Sequence, residues 1–401
     1  MEWVKYRLGD LAYSIQTGPF GSQLHQSDYS SNGTPVIMPK DMIGGKISES
    51  SIARVSDDQV ERLKRHKVKS GDVVYSRRGD VGRCALITNR EDGWLCGTGC
   101  LRVELNKQKA LPSFLFYILQ RKDSVGWVEN HAVGSTMPNL NTGILSKLPV
   151  ILPTLKEQQR IASILSAYDK LIENNNKRIR ILEKMAENLY KEWFVRFRFP
   201  GHENVPMENG LPKGWKYDNL FNVAEITYGY AFKSSLFCED SELNAVVRIR
   251  DIQDNYTETY TAEVCDSKYL IAKNAVLIGM DGIFHMCLWN GEKAFLNQRV
   301  VMLNSKNYEL CNYLLFMSIR PQIKYWEQVI AGTTVAHLGD KHLRKVKVLI
   351  PKADVLSKAN GLLAEIMEKK NLLLQQNRNL ARQRDLLLPR LMSGKLSINV
   401  D

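Results

Sequence analysis

Two periods of apolar residues alternate along this chain of 401 residues. Over residues 5–153 the apolar positions come in short runs broken by Gly, Pro, Asn and Ser, the signature of strands and turns. Residues 67–87 (KVKSGDVVYSRRGDVGRCALI) predict strand, turn, strand; residues 100–105 (CLRVEL) predict a further strand; residues 112–120 (PSFLFYILQ) predict a helix opened by Pro and Ser. Beyond Leu155 the period changes. Apolar residues fall at Ile161, Leu165, Tyr168, Ile172, Ile179, Leu182, Ala186, Leu189 and Trp193, a 4-3 spacing interrupted by Asn175. That spacing predicts a coiled-coil seam, in which a polar Asn fixes register at some cost in stability. Residues 194–215 (FVRFRFPGHENVPMENGLPKGW), rich in Pro, Gly and Asn, end the helix.

The β-type runs then return as a copy of the first set. Residues 332–338 (GTTVAHL) repeat 134–140 (GSTMPNL), and 346–351 (VKVLIP) repeat 148–153 (LPVILP), both at an offset of 198 residues. Residues 245–253 (AVVRIRDIQ) echo 35–42 (PVIMPKDM), 274–282 (NAVLIGMDG) echo 72–80 (DVVYSRRGD), and 311–319 (CNYLLFMSI) echo 113–121 (SFLFYILQR). A second, largely apolar seam lies at the same offset through Ala359, Leu363, Ile366, Lys370, Leu373, Asn377, Leu380, Arg384, Leu387 and Leu391. So long a period means a duplicated domain, not a solenoid.

The expected architecture is mixed α/β (α+β), with two tandem-repeat domains separated by two long helices that form an antiparallel coiled coil of pseudo-two-fold symmetry. The expected segments are a first domain over 1–153, a helix over 154–196, a linker over 197–212, a second domain over 213–352, a second helix over 353–393 and a tail over 394–401. Each helix of about 36 residues makes a rod of roughly 55 Å, long enough to act as a ruler between the domains or simply to form a buried hairpin.

Composition narrows the partners. An excess of 55 Lys and Arg over 43 Asp and Glu, a net +12, favours a polyanion, since each phosphate neutralised releases a counterion. Charge alone leaves nucleic acid and protein partners equally open. The seven cysteines contain no C-x-x-C pair, so neither a zinc site nor a disulfide framework is suggested. Without a signal-peptide run or a stretch near the ~20 apolar residues of a membrane span, a cytoplasmic setting with no membrane partner is expected. Enzyme signatures are weak: no Pro-Pro pair exists for an adenine methyltransferase motif, and SGKLS at 393–397 lacks the spaced Gly of a phosphate loop. A non-enzyme without metal or cofactor of its own is expected.

Three long segments carry a family likeness: residues 148–201 (LPVILPTLKEQQRIASILSAYDKLIENNNKRIRILEKMAENLYKEWFVRFRFPG), 274–303 (NAVLIGMDGIFHMCLWNGEKAFLNQRVVML) and 383–398 (QRDLLLPRLMSGKLSI). With them the chain resembles, over nearly its whole length, the specificity subunit of type I restriction-modification systems. The resemblance implies two target recognition domains, each gripping one half of a bipartite, asymmetric site in double-stranded DNA. The helices would hold the unread gap. It also implies two modification (methyltransferase) subunits bringing S-adenosylmethionine, and restriction subunits using ATP and Mg. The alternative class is a non-catalytic structural adaptor whose duplicated domains bind proteins.

Reading duplex DNA takes Lys and Arg for phosphate, and Arg, Asn, Gln, Ser or Thr for base edges. In the first domain the candidates are Ser76, Arg77 and Arg78 on a turn between strands, Arg83 beyond it, Lys40 after the strand PVIMP, and Ser22 and Gln23 after the glycine turn GPFG. Ser135, Thr136 and Asn139 in GSTMPNL serve either DNA or a helix cap. In the second domain they are Arg248 and Arg250, placed on one face of the strand VVRIRD, with Lys233, Ser234, His285, Gln298, Arg299, Thr333, Thr334 and His337. Glu192, Trp193, Phe194, Phe197 and Phe199 suit a docking surface for a modification subunit or a cap on the coiled coil.

Overall fold

The computed structural model describes residues 3–134, 138–306, 310–330 and 336–392. These fall into two compact units: residues 3–173 with 377–392, and residues 174–376. Each is described in turn.

At the centre of the first unit is an antiparallel sheet in the order Ala12–Thr17, Cys100–Leu105, Val73–Ser76, Cys84–Leu86. Its inner strands are buried at nearly every position because both faces are covered. Alternate residues therefore serve different cores. Val73, Tyr75, Leu101, Val103 and Leu105 face a cluster with Phe114 and Leu115 of the helix Pro112–Leu119. Val74 and Cys100 face a smaller cluster with Ile37 and Cys96. Those last two belong to a second sheet, ordered Leu95–Cys96, Thr34–Ile37, Ala53–Val55, Tyr29–Ser30, whose first pair is parallel. A ribbon of Val4–Arg7 against Pro149–Leu152 completes the unit.

In the second unit the same plan recurs. Its main sheet runs Ala224–Tyr228, Val300–Ser305, Val276–Gly279, Met286–Leu288. The smaller sheet is Tyr260–Thr261, Asn244–Val247, Phe295–Leu296, and the ribbon pairs Lys216–Asn219 with Lys347–Ile350. Val276, Ile278, Val301 and Leu303 face one core, and Leu277, Val300 and Met302 the other. The segment after the first long helix is packed inward: Phe194, Phe197 and Phe199 surround Trp215 at centroid distances of 5.9, 5.7 and 5.1 Å.

Two long helices, Leu155–Tyr190 and Ala353–Met392, each contribute one part to either unit. Along the first, Ile161, Leu165, Asn175, Ile179 and Ala186 are buried and Tyr168, Ile172, Leu182 and Leu189 half-buried, while Ala167, Lys170, Asn174 and Arg178 are exposed. Along the second, Ala359, Leu363, Leu373 and Leu391 are buried and Ile366, Leu380 and Leu387 half-buried. The 4-3 stripe is thus the covered face of both. Within the first unit Ile161, Ala162 and Leu165 share a core with Leu387, Leu388, Leu391 and Met392, and Arg384 donates to Asp169 at 2.6 Å. Within the second, Lys370 pairs with Glu183 at 2.7 Å, and Asn175 donates to Gln376 at 3.4 Å.

Asp169 also accepts a hydrogen bond from the Tyr117 hydroxyl, tying the first long helix to the helix Pro112–Leu119. The Asp169→Ala change removes the acceptor that Tyr117 and Arg384 share in a half-buried site, at a cost of about 1–3 kcal/mol. We expect thermal melting to fall by roughly 2–10 °C, with a smaller loss for Asp169→Asn. An unchanged melting curve would mean that the network adds nothing to stability.

Candidate nucleic-acid interface

In both units the central strand leaves its sheet through the same backbone junction. In the first, the Arg77 amide donates to the Gly99 carbonyl (2.8 Å), the Leu140 amide to the Arg77 carbonyl (2.8 Å), and the Gly79 amide to the Pro138 carbonyl (3.3 Å). In the second, Met280 donates to Arg299 (2.8 Å), Leu338 to Met280 (2.7 Å) and Gly282 to Ala336 (2.9 Å). Gly79 and Gly282 both take the left-handed backbone, at φ 73° and 71°, which favours glycine. These bonds make Arg78 equivalent to Asp281, Gly99 to Arg299, and Asn139 to His337. The letter match of 72–80 with 274–282 sets Arg78 beside Met280 instead, one residue out of step.

A glycine turn borders each junction. The Gly18 and Gly229 amides donate to the Cys100 and Val300 carbonyls at 2.9 and 3.0 Å. A Cβ there would lie 1.8 Å from the Gly97 carbonyl oxygen and 1.9 Å from that of Asn297. Only glycine fits.

Around the first junction the turn carries Phe20, 54% exposed, with the Arg77 guanidinium over its ring at 5.6 Å. Arg78 is exposed next to half-buried Asn139, the two joined by a backbone bridge. Among the described residues the Arg78 guanidinium has no hydrogen bond or ion pair. Three expected contacts are otherwise engaged. Ser76 is not on the turn but ends the strand, fully buried, its hydroxyl donating to the Arg78 carbonyl at 3.0 Å. The Gln23 side-chain oxygen closes the glycine turn by accepting from the Phe20 amide at 3.1 Å. Arg83 is exposed but paired with Asp80 at 2.6 Å. Lys40 is exposed and donates to the Ser51 carbonyl, and Ser22 is exposed.

At the second junction an acid takes the place of Arg78. Asp281 Oδ1 lies 2.6 Å from Nδ1 of His337, and Oδ2 lies 3.6 Å from Nε of Arg299. Arg299 holds φ 70°. Such a backbone costs a non-glycine residue roughly 1–3 kcal/mol, whereas an exposed ion pair returns about 0–1 kcal/mol. Stability therefore does not account for an arginine there. Nearby, His342 accepts from the Gly339 amide through Nδ1 at 3.0 Å; burial, then Lys341 and Lys345, push its pKa down, which keeps that nitrogen an acceptor.

The remaining candidates of the second unit are dispersed. Gln298 is exposed beside Arg299, Lys233 and Ser234 are exposed on the loop after the glycine turn, and His285 is half-buried in a turn. Arg248 and Arg250 do not share a strand face. The strand stops at Val247 because the Asp251 carboxylate accepts from the Arg248 amide at 2.8 Å and winds residues 249–251 into a short 3-10 turn. Arg248 then covers the Phe237 ring, and exposed Arg250 reaches Thr259 at 3.2 Å. Ser135, Thr136, Thr333 and Thr334 lie outside the described residues.

Phe194 and Phe199, expected as docking or capping aromatics, are 5% and 3% exposed inside the second core, and Trp193 and Phe197 pack against it. The rings of Phe194, Phe197 and Phe199 pack on Trp215 and that of Trp193 packs on Phe194, with Trp193 and Phe197 half-buried. Sequence reasoning passed over Phe20 and Asp281, although both stand in quoted runs, GPFG and IGMDG. Burial pushes the Cys84 and Cys287 thiols up to about 12, so they stay protonated. Among the described residues no three His, Cys, Asp or Glu side chains are grouped to hold a metal ion, and no helix is long and apolar enough to cross a membrane.

A sequence model described as the type I restriction modification DNA specificity domain matches residues 1–184 and 212–376. The type I restriction enzyme MjaIX specificity subunit of Methanocaldococcus jannaschii is 25% identical, covering 92% of this chain and 88% of its own. The HindI specificity subunit of Haemophilus influenzae is 22% identical across 98% of this chain and 100% of its own. The crystal structure of a type I restriction-modification S subunit from M. genitalium has the same fold, with a TM-score of 0.60 at 17% identity over 98% of this chain and 96% of that one.

The glycine turns give a direct test. Gly18→Ala and Gly229→Ala each force a methyl group into a carbonyl oxygen, and each should displace the turn of its own unit. We expect amide exchange to accelerate around residues 96–100 in the first variant and 296–300 in the second, with the other unit unchanged. Unaltered exchange in both would show that the close approach is not required.

Proposed function

We propose that this chain, which belongs to the family of type I restriction-modification DNA specificity domains, is the DNA-specificity subunit of a type I restriction-modification complex. The observation that carries this is the junction. One backbone frame occurs in both units and presents Arg78 with Asn139 in the first, but Asp281, Arg299 and His337 in the second. A frame kept while its polar groups change is what reading two different half-sites requires, because phosphate contacts position a protein and side-chain chemistry at base edges specifies.

The remaining parts take their roles from that reading. Each unit holds one target recognition domain, over 1–153 in the first and 213–352 in the second, and the net +12 charge draws the duplex. The long helices form an antiparallel coiled coil relating the domains by a pseudo-two-fold axis and fixing the unread gap; the pairing of Asp169 with Arg384 and of Glu183 with Lys370 supports it. Exposed Leu171, Ile181, Met185, Leu362, Leu372 and Leu386 on those helices offer apolar surface for modification subunits. Those subunits supply S-adenosylmethionine and the methyl transfer, and restriction subunits supply cleavage, so this chain recognises and does not catalyse. Ser22, Lys40, Lys233, Ser234, Arg250 and Gln298 remain exposed for phosphate or base contact.

Methylation mapping of genomic DNA from cells carrying this chain and its modification subunits tests the proposal: a single bipartite, asymmetric motif is expected. Adding one heptad to each long helix lengthens the rods by about 10 Å and should widen the gap by roughly three base pairs with both half-sites unchanged. A gap that stays the same would remove the ruler. In the same assay Arg78→Ala should relax one half-site only; an equal loss at every sequence would make Arg78 a phosphate contact.

A further inference from the structure

The second junction holds an arrangement that the first lacks. Both oxygens of Asp281 are engaged, one by His337 and one by Arg299. The acid is the least exposed of the three side chains, at 31% against 57% for Arg299 and 45% for His337. It therefore bridges two more exposed side chains, at hydrogen-bond distance from His337 and at ion-pair distance from Arg299. Arg299 keeps a left-handed backbone at a position where the first unit has Gly99, a strain that its exposed ion pair does not offset. Strain retained beside a recognition surface is a mark of function.

We propose that Asp281 is a positioning residue that presents Arg299 and His337 as one reading head, and that this head takes guanine in the half-site read by the second unit. The inference rests on the reading of the chain as a DNA-specificity subunit. With Nε facing the carboxylate, the two terminal nitrogens of Arg299 form a planar donor pair. That pair matches O6 and N7 of guanine in the major groove. His337, held through Nδ1, keeps Nε2 for the neighbouring base edge. Among the described residues the first unit, with Gly99 in place of Arg299, has no such clamp.

The test is methylation mapping with the complex of this chain and its modification subunits. The wild-type motif should contain guanine in one half-site. Arg299→Ala, Arg299→Lys and Asp281→Asn should each lower discrimination at that one position by roughly tenfold or more, with the other half-site and the gap unchanged. The double variant Asp281→Asn with Arg299→Ala should be no worse than Arg299→Ala alone, since both remove one coupled contact. Arg299→Gly, which installs the residue of the first unit, should lose the same discrimination while its melting temperature holds or rises; a structural role would lower it. Three results would overturn the proposal: a motif without guanine in either half-site, full discrimination by Arg299→Lys, or a loss spread evenly over all sequences. A wild-type complex that yields no bipartite motif would defeat the specificity-subunit reading itself.

Discussion

Each unit depends on the backbone hydrogen bonds that pin the exit of its central strand to two other loops. Main-chain donors and acceptors are the same at every residue except proline, which lacks the donor, so a junction closed by them does not care which other side chains it carries. Arg78 can be exchanged for Asp281, Gly99 for Arg299 and Asn139 for His337 with all three bonds kept. The frame is constant and the chemistry on it is free to vary.

That freedom needs a rigid support. The strand feeding each junction is covered on both faces, Val73 and Tyr75 on one core and Val74 on another, or Val276 and Ile278 on one and Leu277 on another. Each such side chain contributes about 1.5–3 kcal/mol of burial. The strand exit is held from above and below before any loop is added. A position fixed this firmly tolerates the left-handed backbone of Arg299, which a loosely held loop would relax.

Much of the layout was legible in the letters. The duplicated loops, the repeated runs 148–153 and 346–351, and the stripe from Ile161 to Leu189 were all visible, because helix and turn chemistry repeat with recognisable spacing. The register of the central strand was not. A strand buried on both faces has no alternation to mark its register, so 72–80 and 274–282 match by letters one residue away from where their hydrogen bonds match. Ser76 and Gln23 misled for a related reason: a polar letter near a turn does not reveal that its side chain already bonds the backbone of Arg78 or Phe20. Arg248 and Arg250 look like one strand face until the Asp251 carboxylate ends the strand early. The partnership of Asp281 with Arg299 and His337 joins three distant segments and has no local signature at all.

The sharing of the two long helices also governs how the chain comes into being. The unit over 174–376 is continuous in sequence, whereas the other needs Leu387, Leu388, Leu391 and Met392 to finish the core begun by Leu8 and Leu11. During synthesis the earlier-made domain must wait with part of its apolar surface uncovered, and the later-made one is the first to be complete. The usual N-terminus-first order of synthesis thus supplies the last residues of the first unit's core only after all of residues 174–376 have been made.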